Sequence, residues 1–196
     1  MQPTAARKLT YDDFLGFPDD GRRHELIDGA HVVTPSPATV HQRVVRNLLL
    51  ALGDHLAAGG QGEVFVAPLD VVLSPHDIVE PDLLVVLAEQ SAIVTDQHVR
   101  GAPAIVVEVL SPGTRRRDET AKRDLYARAG VREYWMVDPD RRAILVCRWP
   151  ADGAEEATVD LPGASDAVLK TLLLPGFSLA VERLFDGGGV SGGVRS

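Results

Sequence analysis

Two apolar runs constrain this fold more than any other feature: "DLLVVL" at residues 82–87 and "AIVVEVL" at residues 104–110. Neither alternates in the way a half-exposed strand does. Val/Leu-rich runs of this kind suit central strands covered on both faces. Further strand-like runs, "EVFVAP" and "LDVVL", come before them, and "EYWMVD" and "AILVCRW" follow. Two helical patterns flank the strands. In "SPATVHQRVVRNLLLALGDHLAAGG", Val40, Val44, Leu48, Leu52 and Leu56 recur at i, i+4 on one face, and Gly59-Gly60 ends the pattern. "RDETAKRDLYARAG" is the second, closed by Gly130. Near the start, "LTYDDFLGF" predicts a short helix that Thr10 caps, with Asp13 completing a capping box. "HELIDGAHVV" predicts a hairpin turning at Asp28-Gly29. The order predicts an α/β (α+β) domain built on one mixed sheet, spanning residues 1–186. The remaining "GGGVSGGVRS", residues 187–196, reads as a disordered tail.

Composition narrows the function classes. A chain of 196 residues can bury a core without covalent staples. The lone Cys147 has no disulfide partner, and its place in "AILVCRW" reads as core. No Cys/His metal spacing occurs, and no apolar run is long enough for a membrane span. The N-terminus lacks an apolar signal core, which predicts a cytoplasmic protein with no membrane association. A formal net charge of -8 argues against coating nucleic acid through bulk charge. Locally the balance reverses: Thr114 to Arg132 holds seven basic residues and three acidic ones.

Within "AIVVEVL" stands one carboxylate, Glu108. Burying a lone carboxylate is expensive, so it needs an arginine, a strand end open to water, or a metal ion. Asp82 stands just before the other apolar run. If the two strands are neighbours, two carboxylates meet at one sheet end and repel. A divalent cation relieves that repulsion, and an oxygen-only donor set suits Mg²⁺ or Mn²⁺. The following helix offers Asp118, Lys122 and Tyr126 on one face at i, i+4 spacing. After the tight "SPG" exit, that helix can pack back and bring Lys122 beside Glu108. A structural salt bridge and a solvated charged face are the other readings of these residues.

Pro81-Asp82 before one strand and Glu108 on the next resemble the skeleton of the PD-(D/E)XK nuclease superfamily. The lysine expected two residues after the second acid is absent, since position 110 is Leu; the resemblance implies that Lys122 has taken its place. The motifs "HELIDGAHVV", "SPATVHQRVVRNL", "APLDVVLSP", "EPDLLVV" and "RGAPAIVVEVLSPGTRRRDETAKRDLYARAGVREYWMVDPDRR" are together similar to the Uma-two family of restriction endonucleases. This resemblance implies a restriction-endonuclease-like fold and Mg²⁺- (or Mn²⁺-) dependent hydrolysis of DNA by a homodimer. It implies metal binding by Asp82 and Glu108, a charge-stabilising Lys122, and Glu25 as an N-terminal acid approaching the metal. Arg115, Arg116, Arg117 and Arg123 are then expected on backbone phosphates. His41, Asp70 and Tyr126 are secondary candidates. A nuclease fold that binds nucleic acid without cutting, and a scaffold protein with its acids tied in salt bridges, are the alternative functions.

Overall fold

The computed structural model describes residues 7–59, 61–149, 157–163 and 166–187. Helix α1 (Tyr11–Phe14) carries the expected capping box between Thr10 and Asp13. Strands β1 (Arg23–Ile27) and β2 (Ala30–Thr34) form the hairpin. Asp28 and Gly29 turn it with φ of 51° and 73°, the left-handed values that an Asp-Gly turn supplies at low cost. The long helix α2 (Thr39–Gly59) follows. Then come β3 (Gly62–Val66), β4 (Val71–Ser74), β5 (Asp77–Val79), β6 (Leu83–Leu87), a 3₁₀ turn (Ala88–Ile93), β7 (Val99–Arg100) and β8 (Ile105–Val109). The second helix runs as α3 (Arg115–Arg117), a π turn (Asp118–Lys122) and α4 (Arg123–Ala129), with Gly130 left-handed at its end. β9 (Glu133–Asp138), β10 (Ala143–Arg148), β11 (Ala157–Pro162), β12 (Val168–Leu169), β13 (Leu179–Ala180) and a 3₁₀ turn (Val181–Leu184) complete it.

The expected single mixed sheet is instead two large sheets and a separate β12-β13 pair. Six strands lie in the order β11-β10-β9-β8-β6-β3, and five in the order β2-β1-β5-β4-β7. "LDVVL" therefore leaves the central sheet and joins the hairpin. Pro68 lies between β3 and β4; it has no N–H for a ladder, and the chain changes sheets there. The expected tail lies outside the described residues from residue 188 onward.

The six-stranded sheet explains the apolar runs. β8 and β6 are central and entirely buried. Side chains alternate: Val85, Val107, Val109 and Trp135 pack in one cluster with Val44, Leu48 and Leu52 of α2. Leu84, Val106, Tyr134 and Met136 pack in the other with Leu125 and Tyr126 of α4. Glu108 falls between Val107 and Val109 and so shares its face with Val106, beneath α4. The apolar face of α2 differs from expectation in its first turn. Val40 is exposed, while His41 and Val45 are buried with Val44, Leu48, Leu52 and Leu56. His41 turns inward because it has an ionic partner there, described next. Cys147 is fully buried in the second cluster, as its strand context predicts.

Candidate active site

β6 and β8 are antiparallel neighbours, with Leu83 opposite Val107. Asp82 is one residue before that pair and lies beside the end of β8, where its Oδ2 accepts from the Val109 N–H at 2.8 Å. The two acids thus meet at one strand end. Glu25, Asp82, Glu108 and Lys122 are 1%, 2%, 4% and 3% exposed. All four line a cavity of about 240 Å³ that opens to solvent between two loops, residues 35–38 and 111–114.

Lys122 is the centre of the charge cluster. Its Nζ lies 2.7 Å from Glu108 Oε1 and 2.7 Å from Glu25 Oε1. Glu108 Oε1 also accepts from the Tyr126 hydroxyl at 2.9 Å. Asp118 is buried at the rim of the same group. The π turn spanning Asp118 to Lys122 was not anticipated from the sequence. It widens the helix by one residue per turn where Lys122 must reach two carboxylates. One ammonium faces three carboxyl groups. Burial first, with Asp118, Asp82 and Glu25, pushes the Glu108 carboxyl up to about 8 against the downward pull of Lys122. Burial alone would lower the Lys122 pKa, but Glu108, Glu25 and Asp118 outweigh it and hold the ammonium charged. The Asp118 carboxyl is also raised, by burial first.

Asp82 has a separate set of partners. Arg23 Nη1 lies 2.6 Å from Oδ1, and His41 Nε2 lies 3.0 Å from Oδ2. Burial would raise this carboxyl, but the bond from His41, its charge, and Arg23 pull it below the usual range. The His41 Nδ1 is buried with no partner among the described residues. Glu80 completes the wall. Its N–H donates to Glu25 Oε1 at 3.0 Å, and burial, then Asp70 and Glu25, push its own carboxyl up to about 7.

The structure therefore brings Glu25, Asp82, Glu108, Lys122, His41 and Tyr126 to one cluster. Asp70 stays half-buried outside the cavity lining, with burial raising its carboxyl. The arginines separate. Arg117 lines the cavity and donates to Thr34 Oγ1 at 2.9 Å. Arg116 is exposed, and Arg123 is half-buried away from the cavity lining. Arg115 points elsewhere, into a bidentate pair with Asp138 at 2.6 and 2.9 Å, because that carboxylate lies buried at the end of β9. Sequence reasoning missed Arg23 and Glu80 and gave Asp118 no role. Arg23 stands two residues before Glu25 on the same strand, hence on the same face; Glu80 stands two before Asp82 in "IVEPD".

A metal's fit can be judged from the donors. No three His, Cys, Asp or Glu side chains form a ready-made metal cage among the described residues. Glu25 Oε2 and Asp118 Oδ1 are nevertheless buried in the lining without a hydrogen-bond partner among the described residues. Unpartnered carboxylate oxygens beside Glu108 are hard donors of the type that Mg²⁺ and Mn²⁺ take.

Five solved chains match, among them a crystal structure titled "a putative nuclease belonging to DUF820 from Anabaena variabilis". It is 20% identical, covers 90% of this chain and 97% of its own, and superposes with a TM-score of 0.76, so the two share a fold, the restriction-endonuclease-like one. No curated protein matches. No helix among the described residues is long and apolar enough to cross a membrane. The family model described as "Putative restriction endonuclease" matches residues 11–182, and with that span the chain belongs to the Uma2 family.

Proposed function

We propose that this chain is a divalent-metal-dependent nuclease that hydrolyses phosphodiester bonds of DNA. The observation that carries this reading is the Lys122 ammonium held 2.7 Å from both Glu25 and Glu108 at the floor of a solvent-open cavity. A structural ion pair has no need of an opening to solvent, or of three carboxyls for one cation. Glu108 and Asp82 would hold Mg²⁺ or Mn²⁺, with Glu25 and Asp118 offering their free oxygens. When bound, the ion supplies charge neutralisation at the phosphate and a lowered pKa for a coordinated water. Lys122 orients the attacking water through the one ammonium proton not committed to Glu25 and Glu108, and offsets charge developing on the phosphoryl oxygens. Tyr126 fixes the Glu108 rotamer through its hydroxyl. Arg117, at the mouth, contacts a backbone phosphate. A homodimer would present two such sites to two strands.

One observation favours a second reading, a nuclease fold that binds nucleic acid without cutting it. Both Asp82 oxygens already have protein partners, in Arg23, His41 and the Val109 N–H. Single-turnover cleavage of supercoiled and single-stranded DNA with Mn²⁺ separates the two, run beside thermal unfolding with and without Mn²⁺. The nuclease reading expects cleavage and a Mn²⁺-dependent rise in Tm, both lost in Glu108→Gln. A wild type that binds DNA, gains no stability from Mn²⁺ and never cuts refutes it in favour of the binding module.

A further inference from the structure

The cavity's shape specifies which form of nucleic acid it can take. Its reactive groups are at most 4% exposed, at the bottom of about 240 Å³ of space. That is below the roughly 300–1,000 Å³ of pockets that enclose a drug-sized ligand. It has room for a phosphate and part of its sugars. The lips are Pro35 and Pro37 on one side and Pro112 on the other, short-chain residues with restricted backbones. Arg117 ties the sides together through Thr34, and its Nε is buried without a hydrogen-bond partner among the described residues. A duplex presents a convex surface whose backbones are held by pairing and stacking, so its phosphates cannot descend into a concave pit. An unpaired strand can rotate one phosphate inward.

Charge points the same way. A duplex is held by many phosphate contacts spread over two backbones. Of the cations that line the cavity, two are already engaged: Arg23 with Asp82, and Lys122 with Glu25 and Glu108. The chain as a whole carries -8. Arg117, whose hydrogen bond goes to the neutral Thr34 hydroxyl and which acts on the Asp118 carboxyl only through its charge, can exchange that bond for a phosphate. Among the described residues no Phe, Tyr or Trp lines the cavity, and its one imidazole, His41, is held against Asp82, so no free ring is offered for base stacking.

We infer that the site takes an unpaired strand, one phosphate deep and without regard to base sequence, rather than intact duplex. This rests on the nuclease reading of the same site and names its substrate form. Reaching the floor from a duplex requires local unpairing and unstacking, which costs a few kcal/mol and sets the preference at about a hundredfold.

The test is fluorescence anisotropy with a labelled mixed-sequence DNA strand, alone, annealed to its complement, and annealed so as to leave a short gap. Ca²⁺ replaces Mn²⁺ in the titration, and single-turnover cleavage with Mn²⁺ is followed on the same three probes. The free strand and the gapped duplex should bind about a hundredfold more tightly than the closed duplex. Arg117→Ala should weaken the free strand roughly tenfold with a reduced salt slope, as the loss of one phosphate contact does. Closed duplex bound as tightly as the free strand, or no binding of any probe, overturns the inference. Strand preference in binding with no cleavage of any probe leaves the inference standing and refutes the nuclease reading alone.

Discussion

Replacing Lys122 by Met tests the electrostatics of the whole cluster. The side chain keeps its length and its apolar contacts and loses only the ammonium. Two contacts of 2.7 Å vanish, and Glu25 and Glu108 are left facing each other and Asp118 with no cation among them. Removing one partner of a buried ion pair costs about 3–5 kcal/mol, because the remaining charge is stranded. For a domain of this size each kcal/mol lowers Tm by about 2–4 °C, so a fall of roughly 6–20 °C is expected. The sign with pH is fixed. The Glu108 carboxyl is held above its unfolded value, so its protonated form is favoured by folding. Its contribution is full below the unfolded pKa and is lost as pH rises towards about 8. In Lys122→Met the carboxyls are held higher still. The stability gap to wild type should therefore be small near pH 5 and widest above pH 8. Glu25→Gln added to Lys122→Met should recover part of the loss, since it removes one of the stranded charges. The assay is urea unfolding across that pH range for wild type, both single variants and the double. A Lys122→Met protein as stable as wild type at pH 8, or a gap that widens as pH falls, would refute the account of one ammonium holding three carboxyls together.

Three other perturbations probe different parts of the molecule. Tyr126→Phe removes a buried hydroxyl that donates to Glu108 at 2.9 Å, and should cost about 1–3 kcal/mol in urea unfolding. Asp138→Asn removes the carboxylate that Arg115 holds below its ordinary pKa, and should cost about 1–3 kcal/mol near neutrality. A depressed carboxyl stabilises above its unfolded pKa and stops doing so as pH falls through the folded one, so this difference should close under strong acid; a gap that persists there would contradict the pairing. Leu52→Ala empties a fully buried position between α2 and the sheet and should cost about 2–5 kcal/mol while leaving DNA cleavage by the folded fraction unchanged.

How far the sequence could be read depended on whether each signal was local. The hairpin turn, the capping box and the two buried strands all follow from neighbouring residues, and the structure has each of them. Glu108 was conspicuous because a carboxylate in an apolar run violates a local rule. The helix that returns Lys122 to it is only a short loop away. Arg23 carried no such signal. A charged residue opening a hairpin strand looks like any solvated edge until Asp82 is seen beside it, 59 residues later in the chain. The division into two large sheets was equally hidden, since "LDVVL" is as apolar as its neighbours and only pairing partners tell the sheets apart. The inward turn of His41 has the same cause: α2's period sets its face to within one residue, and a distant carboxylate decides between Val40 and His41.

β8 and β9 are parallel neighbours, and the helix between them is their crossover. The pair at the heart of the cluster, Glu108 and Lys122, is therefore contained in one βαβ unit, with a separation of 14 residues. Arg23 and Asp82 are 59 apart, about two doublings farther, which adds roughly 1.2 kcal/mol of loop-closure entropy. The consequence concerns the order of assembly. The crossover can close first and neutralise Glu108 before the hairpin docks, so the carboxylate is not driven into an apolar interior without its counter-ion. Pulse-labelled hydrogen exchange should show β8 and α4 protected before β1; protection of β1 ahead of them would exclude that order. The cation that serves the site would then also act as the escort that lets a charged residue enter a central strand.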